Sequence, residues 1–404
     1  MSKKILYGLT AQSGGSGGGG ISDLNLHFSS TQAPNDTNKL WVKTDTEPSN
    51  ILVKKMMGAG KIETLDKTIP EAATFIARGV VGNKIYLFGG LASDRLNTIN
   101  VYDVETDTIT TISTTLPSKA NGIAADSVGT KVYLFGGFNN GSRYKTINVF
   151  DTTSNTITTL ATQLSTGTFN ITAVAVGTKI YLFGGDTSSA SNKIQVFDTT
   201  NNTLTTLATT LPTAAYSIAA AGVESKVYLF GGYGSSGKLD TINVFDTTDN
   251  TITTLATTLP SPVSQMASGL VDEKIYLFGG DDSSEQLDTI NVFDTTDNTI
   301  TTLSEKLPYT IANMVCGKVN NEMYLFGGQN GNNKLNTILV FNTLLELQNN
   351  VLGVSYTQGN NHSIHNNYLD MSLTILDCFI GNSNNEGQRV KIAYHDGTDW
   401  VEIN

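Results

Sequence analysis

The sequence predicts an all-β fold, a six-bladed β-propeller flanked by small β-rich segments, and three features carry that expectation. The pentapeptide Tyr-Leu-Phe-Gly-Gly occurs six times, at 86–90, 133–137, 181–185, 228–232, 276–280 and 324–328. Successive copies begin 47 or 48 residues apart, the regularity of one supersecondary unit repeated along the chain. Each period holds four short strand patterns, the content of one propeller blade.

Taken in order, residues 1–60 precede the array and read as an anchoring segment. Ser13 to Gly20 is almost entirely glycine, a flexible linker unless a partner orders it. Leu24, Leu26 and Phe28 alternate like a short strand, and 40–44 and 51–54 suggest two more around a turn at Pro48-Ser49-Asn50. Such a segment is too small for a large core of its own, so it is expected to dock on copies of itself or on a larger assembly.

Residues 61–343 form the array. In the unit beginning at Ala219, 219–223 is a strand of small residues and 226–230 is apolar on both faces. A strand sandwiched between neighbours reads that way. Gly231-Gly232 ends it, where a Cβ would obstruct close backbone approach or positive φ. A polar loop leads to a third strand at 241–245, and the turn at 246–250 to a fourth at 251–255.

The Gly-Gly doublet after an apolar strand, followed by Tyr102, Phe150, Phe197, Phe245, Phe293 and Phe341 before the next turn, resembles the kelch-repeat family over about 280 residues. The resemblance implies a kelch-type propeller. The family's usual fourth-strand tryptophan is replaced here by Ile109, Ile157, Leu204, Ile252 and Ile300.

The last unit supplies strands near 311–316, 322–326 and 337–341, then runs into Leu344-Leu345-Glu346 without the Thr-Ile-Thr-Thr-Leu pattern. The missing strand stands before the first unit. Residues 61–65 followed by Ile69-Pro70 match 251–255 followed by Leu259-Pro260. The N-terminal strand is therefore expected to complete the sixth blade and remove an open sheet edge. Residues 344–404 read as a small C-terminal β domain. Strands are expected at 373–376 and 379–380, and a hairpin joins 390–395 to 400–403 through Asp396-Gly397.

The chain carries a net charge of −11 and a pI near 4.8, which argues against nucleic acid and anionic membrane as partners. No apolar run reaches membrane-spanning length, and the N-terminus lacks a secretory core, so export would use a route other than a cleaved signal. Cys316 and Cys378 provide neither a disulfide framework nor a metal spacing.

The four histidines, His27, His362, His365 and His395, all lie outside the array. The array therefore lacks a histidine-ligated copper centre and the usual general base. The array's arginines, Arg78, Arg95 and Arg143, all fall in the first two units, against a sialidase-like cluster drawn from around the ring. The Asp396-to-Trp400 stretch lacks the order of a sialidase Asp-box. Asp281, Asp282, Glu285 and Asp288 match no calcium loop, and His362 with His365 reads as an exposed polar pair. No cofactor and no metal are expected.

Residues 241–255 and 289–303 are identical, whereas the loops after Gly-Gly and the segments entering the first strands differ in every unit. Varied loops on a uniform scaffold read as a binding face. Its expected residues are Phe75, Phe169, Tyr216, Tyr309, Phe138, Tyr144, Tyr233, Arg95 and Arg143, whose aromatic faces beside Asn, Ser and Asp suit sugars.

Two flanking stretches resemble proteins of phage tails and phage-derived particles of Gram-positive bacteria. One runs Ala33-Pro34-Asn35-Asp36-Thr37-Asn38-Lys39-Leu40-Trp41-Val42-Lys43-Thr44, and the other is the hairpin from Val390 to Ile403. The resemblance implies a non-enzymatic tail-fibre or baseplate protein on an extracellular particle. Its residues 1–60 would anchor to tail or baseplate proteins and its propeller would bind a bacterial surface glycan or protein, with trimerisation through the flanks. A glycan-degrading enzyme on the same particle, drawing on Asp94, Asp186 and Asp281, and a bacterial kelch scaffold unrelated to phage are the alternatives.

Overall fold

The structure, a computed structural model, describes residues 60–343 throughout and, outside them, five strands: Leu26–Ser29, Leu40–Lys43, Cys378–Asn382, Asn385–His395 and Trp400–Ile403. The chain divides into two compact units, residues 60–343 and the two flanks together.

Residues 60–343 are all-β and form six four-stranded antiparallel sheets. The sheet built from Ala219–Val223, Lys226–Phe230, Thr241–Asp246 and Thr251–Thr258 is representative, with the strands paired in chain order. The apolar second strand is buried from Val227 through Phe230. The outer strand continues three residues past the expected 251–255, because a bulge between Thr241 and Asn243 lets Thr258 pair with Thr241. Within this strand Thr253 and Thr254 are both exposed.

The sixth sheet consists of Val315–Val319, Glu322–Phe326, Thr337–Asn342 and Ile62–Thr68, the last pairing antiparallel with Thr337–Asn342. Its inner strand begins four residues later than the expected 311–316. Ile311 and Ala312 instead have their backbones engaged with Gly280 and Gln329.

One aromatic junction recurs between successive sheets. Tyr133 and Phe135 pack on Phe197 with ring centroids 5.6 and 5.5 Å apart, one tilted and one edge-on. Tyr86 and Phe88 meet Phe150, Tyr181 and Phe183 meet Phe245, Tyr228 and Phe230 meet Phe293, and Tyr276 and Phe278 meet Phe341 in the same way. Tyr324 and Phe326 of the last unit pack on Tyr102 of the first. These rings are almost fully buried, so the pentapeptide's Tyr and Phe form a recurring part of the contact between sheets. Small residues on the inner strands follow from the same packing: a Cβ on Gly317 would stand 2.9 Å from Ile85.

Among the flanking strands, Leu26–Ser29 pairs parallel with Leu40–Lys43, which pairs antiparallel with Asn385–His395. The latter also pairs with Cys378–Asn382 and Trp400–Ile403. Segments read from the sequence as two pieces, 1–60 and 344–404, thus contribute to one five-stranded sheet. The Gly-rich run, the strands expected at 51–54 and 373–376, His362, His365 and the Asp396-Gly397 turn lie outside the described residues.

Candidate functional site

The Gly-Gly end of the six sheets is a scaffold of repeated backbone contacts. The second glycine of each doublet donates its N–H to a carbonyl in the segment entering the next unit: Gly90 to Ala120, Gly137 to Thr168, Gly185 to Ala215, Gly232 to Val263, Gly280 to Ile311 and Gly328 to Ala73, at 2.8–3.0 Å. The first glycine has φ between 54° and 65°, and a Cβ there would overlap the same carbonyl oxygen. Two requirements, left-handed backbone and no side chain, therefore coincide at one position.

Two residues further along each entering segment lies a second contact. Phe75, Gly122, Asn170, Ser217, Gln265 and Asn313 all have φ between 51° and 62°. Each of the last five donates its N–H to the carbonyl of the one before, and Phe75 donates to Asn313 at 3.4 Å. Five of the six are not glycine, and a left-handed conformation costs such a residue of order 1–3 kcal/mol. The belt of hydrogen bonds offsets that cost. Phe75, expected on the binding face, is thereby placed in the belt, where it lines a cavity of about 140 Å³ with Asn170, Ser217, Gln265 and Asn313.

On this scaffold each unit pairs one entering residue with the residue after Gly-Gly. The pairs are Thr74 with Leu91, Asn121 with Phe138, Phe169 with Asp186, Tyr216 with Tyr233, Ser264 with Asp281, and Ala312 with Gln329. The backbone is the same and the chemistry differs in every unit, so the variable positions are presented side by side. Four expected site residues, Phe138, Phe169, Tyr216 and Tyr233, occupy these pairs.

In the first, second and fourth units a further residue, just before the chain rejoins the sheet, reaches toward the following unit. Arg95 donates Nε–H to Asn121 Oδ1 at 3.3 Å, and its guanidinium lies 5.2 Å from the Phe138 ring centre. Arg143 donates Nε–H and Nη2–H to Asp186 Oδ1 at 3.1 and 2.9 Å and lies 5.3 Å from Phe169. Lys238 pairs with Asp281 at 2.7 Å and donates to the Asp282 carbonyl. Phe138 and Phe169 pack in a tilted arrangement with ring centroids 5.0 Å apart, and Tyr216 and Tyr233 do so at 5.3 Å. The Gly185 N–H to Ala215 carbonyl bond at 3.0 Å sets Asp186 beside Tyr216, so the two clusters adjoin, and burial, then the Asp186 carboxylate and Tyr233, push the Tyr216 hydroxyl above its ordinary range. The result is a band running from Arg95 through Phe138, Arg143, Phe169 and Tyr216 to Tyr233. Tyr233 is the one exposed large hydrophobic among the described residues, at 39%.

Besides Phe75, two expected residues lie off this band. Tyr309 packs against the core of the last two sheets and donates its hydroxyl to Thr337 Oγ1 at 2.9 Å. Tyr144 occupies the position of Leu239 and Leu287 in other units, and its hydroxyl reaches only the Lys119 carbonyl, at 3.5 Å. The linking roles of Asn121 and Asp186 were not foreseen among the site residues. No local pattern reveals them, because each contact joins loops about 25 to 45 residues apart.

The carboxylates at this end are engaged. Asp94 pairs with Lys119 at 2.7 Å, Asp186 with Arg143 at 2.9 Å and Asp281 with Lys238. The Lys119 hydrogen bond holds the Asp94 carboxyl below its ordinary range. Asp282 accepts from Glu285 N–H, Ser284 N–H and Ser284 Oγ–H, which lower it as well. Among the described residues no cluster of three or more His, Cys, Asp or Glu side chains has the arrangement of a metal site.

A family model described as the KLHDC2/KLHL20/DRC7 Kelch-repeats domain matches residues 34–168 and 170–344. No curated protein matches the chain.

Proposed function

We propose, for a chain that belongs to the kelch-repeat family, that its six sheets are the blades of a closed β-propeller and that the propeller is a non-catalytic recognition module. The single observation that carries the recognition reading is the band from Arg95 to Tyr233. It is assembled from chemically different side chains at backbone-equivalent positions of successive units. A scaffold that holds its backbone constant while varying these side chains is built to present them.

The aromatic rings and amide groups suit a bacterial surface glycan, with a surface protein as the second class of receptor. Against catalysis on the same particle stand the ion pairs that occupy Asp94, Asp186 and Asp281. The resemblance of residues 33–44 and 390–403 to tail proteins supports placement on a phage tail or tail-like particle.

The test uses the labelled full chain on a panel of bacterial strains, read by flow cytometry, alongside mass spectrometry of purified particles. Retention on a subset of strains, lost with Tyr233→Ala and with Phe138→Ala but kept with Tyr309→Phe, is the expected result. Release of reducing sugar from the same cells would favour the enzymatic alternative. Presence of the chain in cytosol and absence from particles would favour a kelch scaffold unrelated to phage.

A further inference from the structure

Arg95 differs from the other arginines of the array. Arg78 pairs with Asp126 at 3.4 Å, and Arg143 is held by Asp186. Asp94, the carboxylate nearest Arg95 in sequence, receives the Arg95 backbone N–H at 2.8 Å and pairs its other oxygen with Lys119. The Arg95 side chain is fixed at Nε by Asn121, which is only 5% exposed, and by the Phe138 ring beneath it. Its two Nη groups have no carboxylate partner among the described residues. A guanidinium held by one buried acceptor and one aromatic face, with its fork unused, is pre-organised for a planar anion.

The surroundings leave an excess of the same sign. Lys119 is paired with Asp94 and Arg143 with Asp186, whereas Lys145 and Lys193, at the Gly-Gly end of the second and third units, have no carboxylate partner among the described residues. The fifth unit's loop carries Asp281, Asp282, Glu285 and Asp288 instead. On a chain of net charge −11 this is a local reversal, which guides an anion to one side of the end and away from the other.

Resting on the reading of this end as a glycan-binding face, we propose that the Arg95 fork takes the carboxylate of an acidic saccharide. Neighbouring sugar rings of the ligand run along the band toward the exposed face of Tyr233. A bidentate carboxylate satisfies both Nη groups, and the C–H faces of the sugars cover aromatic surface that water otherwise contacts. Arg143 does not compete for the anion, because Asp186 already neutralises it.

The full chain has four arginines, so its arginine Nε–H resonances are few enough to follow one by one in an NMR titration. The probes are tetragalacturonate and its methyl ester, which keeps the sugars and removes the charge. Tetragalacturonate is expected to shift the Arg95 signal saturably. The ester should bind about tenfold more weakly, as should tetragalacturonate to Arg95→Gln, the loss of one charge-assisted contact. Arg95→Lys should recover only part of the affinity, since it keeps the charge and loses the fork. Equal affinity for acid and ester, or no shift with the acid, overturns the assignment. The cell assay separates this from the wider reading. Retention lost with Tyr233→Ala but unchanged with Arg95→Gln removes the acidic ligand and leaves the glycan-binding face, whereas retention unchanged in both removes the face as well.

Discussion

The six glycine doublets show how far one residue type can be understood from its neighbours. Gly184 has φ 63°, and a Cβ there would overlap the Ala215 carbonyl that accepts the Gly185 N–H. Gly177 has nearly the same φ, 60°, but nothing lies within reach of an added Cβ. Gly177→Ala is therefore expected to cost only the left-handed penalty, about 1–2 kcal/mol. Gly184→Ala adds a backbone collision and should cost about 2 kcal/mol more, with urea denaturation monitored by circular dichroism as the measurement. Equal losses would mean that the entering segment moves aside at little cost. The doublets were legible in the sequence as points where side chains are excluded. What excludes them was not, because Ala215 belongs to the next unit. The same limit hid the band: Phe138 and Arg95 each stood out as candidates, but only the fold puts one over the other.

At the scale of the strand, departures from the repeat gather where the N-terminal strand is inserted. Thr114, Thr162, Thr209 and Thr257 each donate Oγ1–H to the carbonyl of Asn155, Asn202, Asn250 and Asn298 in the next unit's turn, at 2.6–2.8 Å. The two junctions that involve Ile62–Thr68 use charge instead. Glu305 stands where the others have Thr, and it accepts from Ile62 N–H at 3.1 Å and pairs with Lys61 at 2.6 Å. On the other side Lys67 pairs with Asp107 at 3.2 Å, and Asp107 also accepts from the Tyr102 hydroxyl at 2.8 Å, where the other units have Phe. Since the repeats are otherwise interchangeable, complementary charge distinguishes the sheet that receives the strand from those already complete.

Lys67→Ala should lose about 0.5–1 kcal/mol, as expected for an exposed pair, and Lys67→Thr should recover most of it by donating to the Asp107 backbone carbonyl as threonine does at the other junctions. Lys67→Thr no more stable than Lys67→Ala would show that the contact does not transfer. The Glu305 side has a pH signature. Burial opposes its ionisation, but the Lys61 hydrogen bond and the Ile62 N–H hold its carboxyl below the ordinary glutamate value of 4.5. A lowered folded-state value means that its contribution is complete above the ordinary range and is lost as pH falls through the lowered one. The urea midpoint should therefore fall more steeply from about pH 5 downward in the native sequence than in Glu305→Gln. The inserted strand itself was readable, because Ile69-Pro70 repeats the spacing of Leu259-Pro260. The charge logic emerges only when Glu305 and Lys61, far apart in sequence, are seen together.

For the molecule as a whole, the decisive contrast is between an open array and a ring. In an open array each unit touches only its neighbours, and removing one lowers stability by one unit and one interface. Here three independent sets of contacts return from the sixth unit to the first. They are Tyr324 and Phe326 on Tyr102, Gly328 N–H to the Ala73 carbonyl, and Phe75 N–H to the Asn313 carbonyl. In the proposed ring of six each junction turns the chain by about one-sixth of a circle, and five units with the same junctions leave a gap. Removing residues 204–251 joins Thr203 to Ile252 at equivalent points of the repeat, so every local pattern of sequence survives. The expected product is a chain that exposes the faces of two sheets and associates or aggregates, read by size-exclusion chromatography with light scattering. The native sequence is expected to elute without such association between its propellers. If the shortened chain instead folds cooperatively without new association, with a urea dependence lower by roughly one-sixth as its buried area would require, the junctions are compliant and the array does not depend on closing after six. The band from Arg95 to Tyr233 depends on the answer, because its residues come from four successive units and are aligned only if each junction keeps its angle.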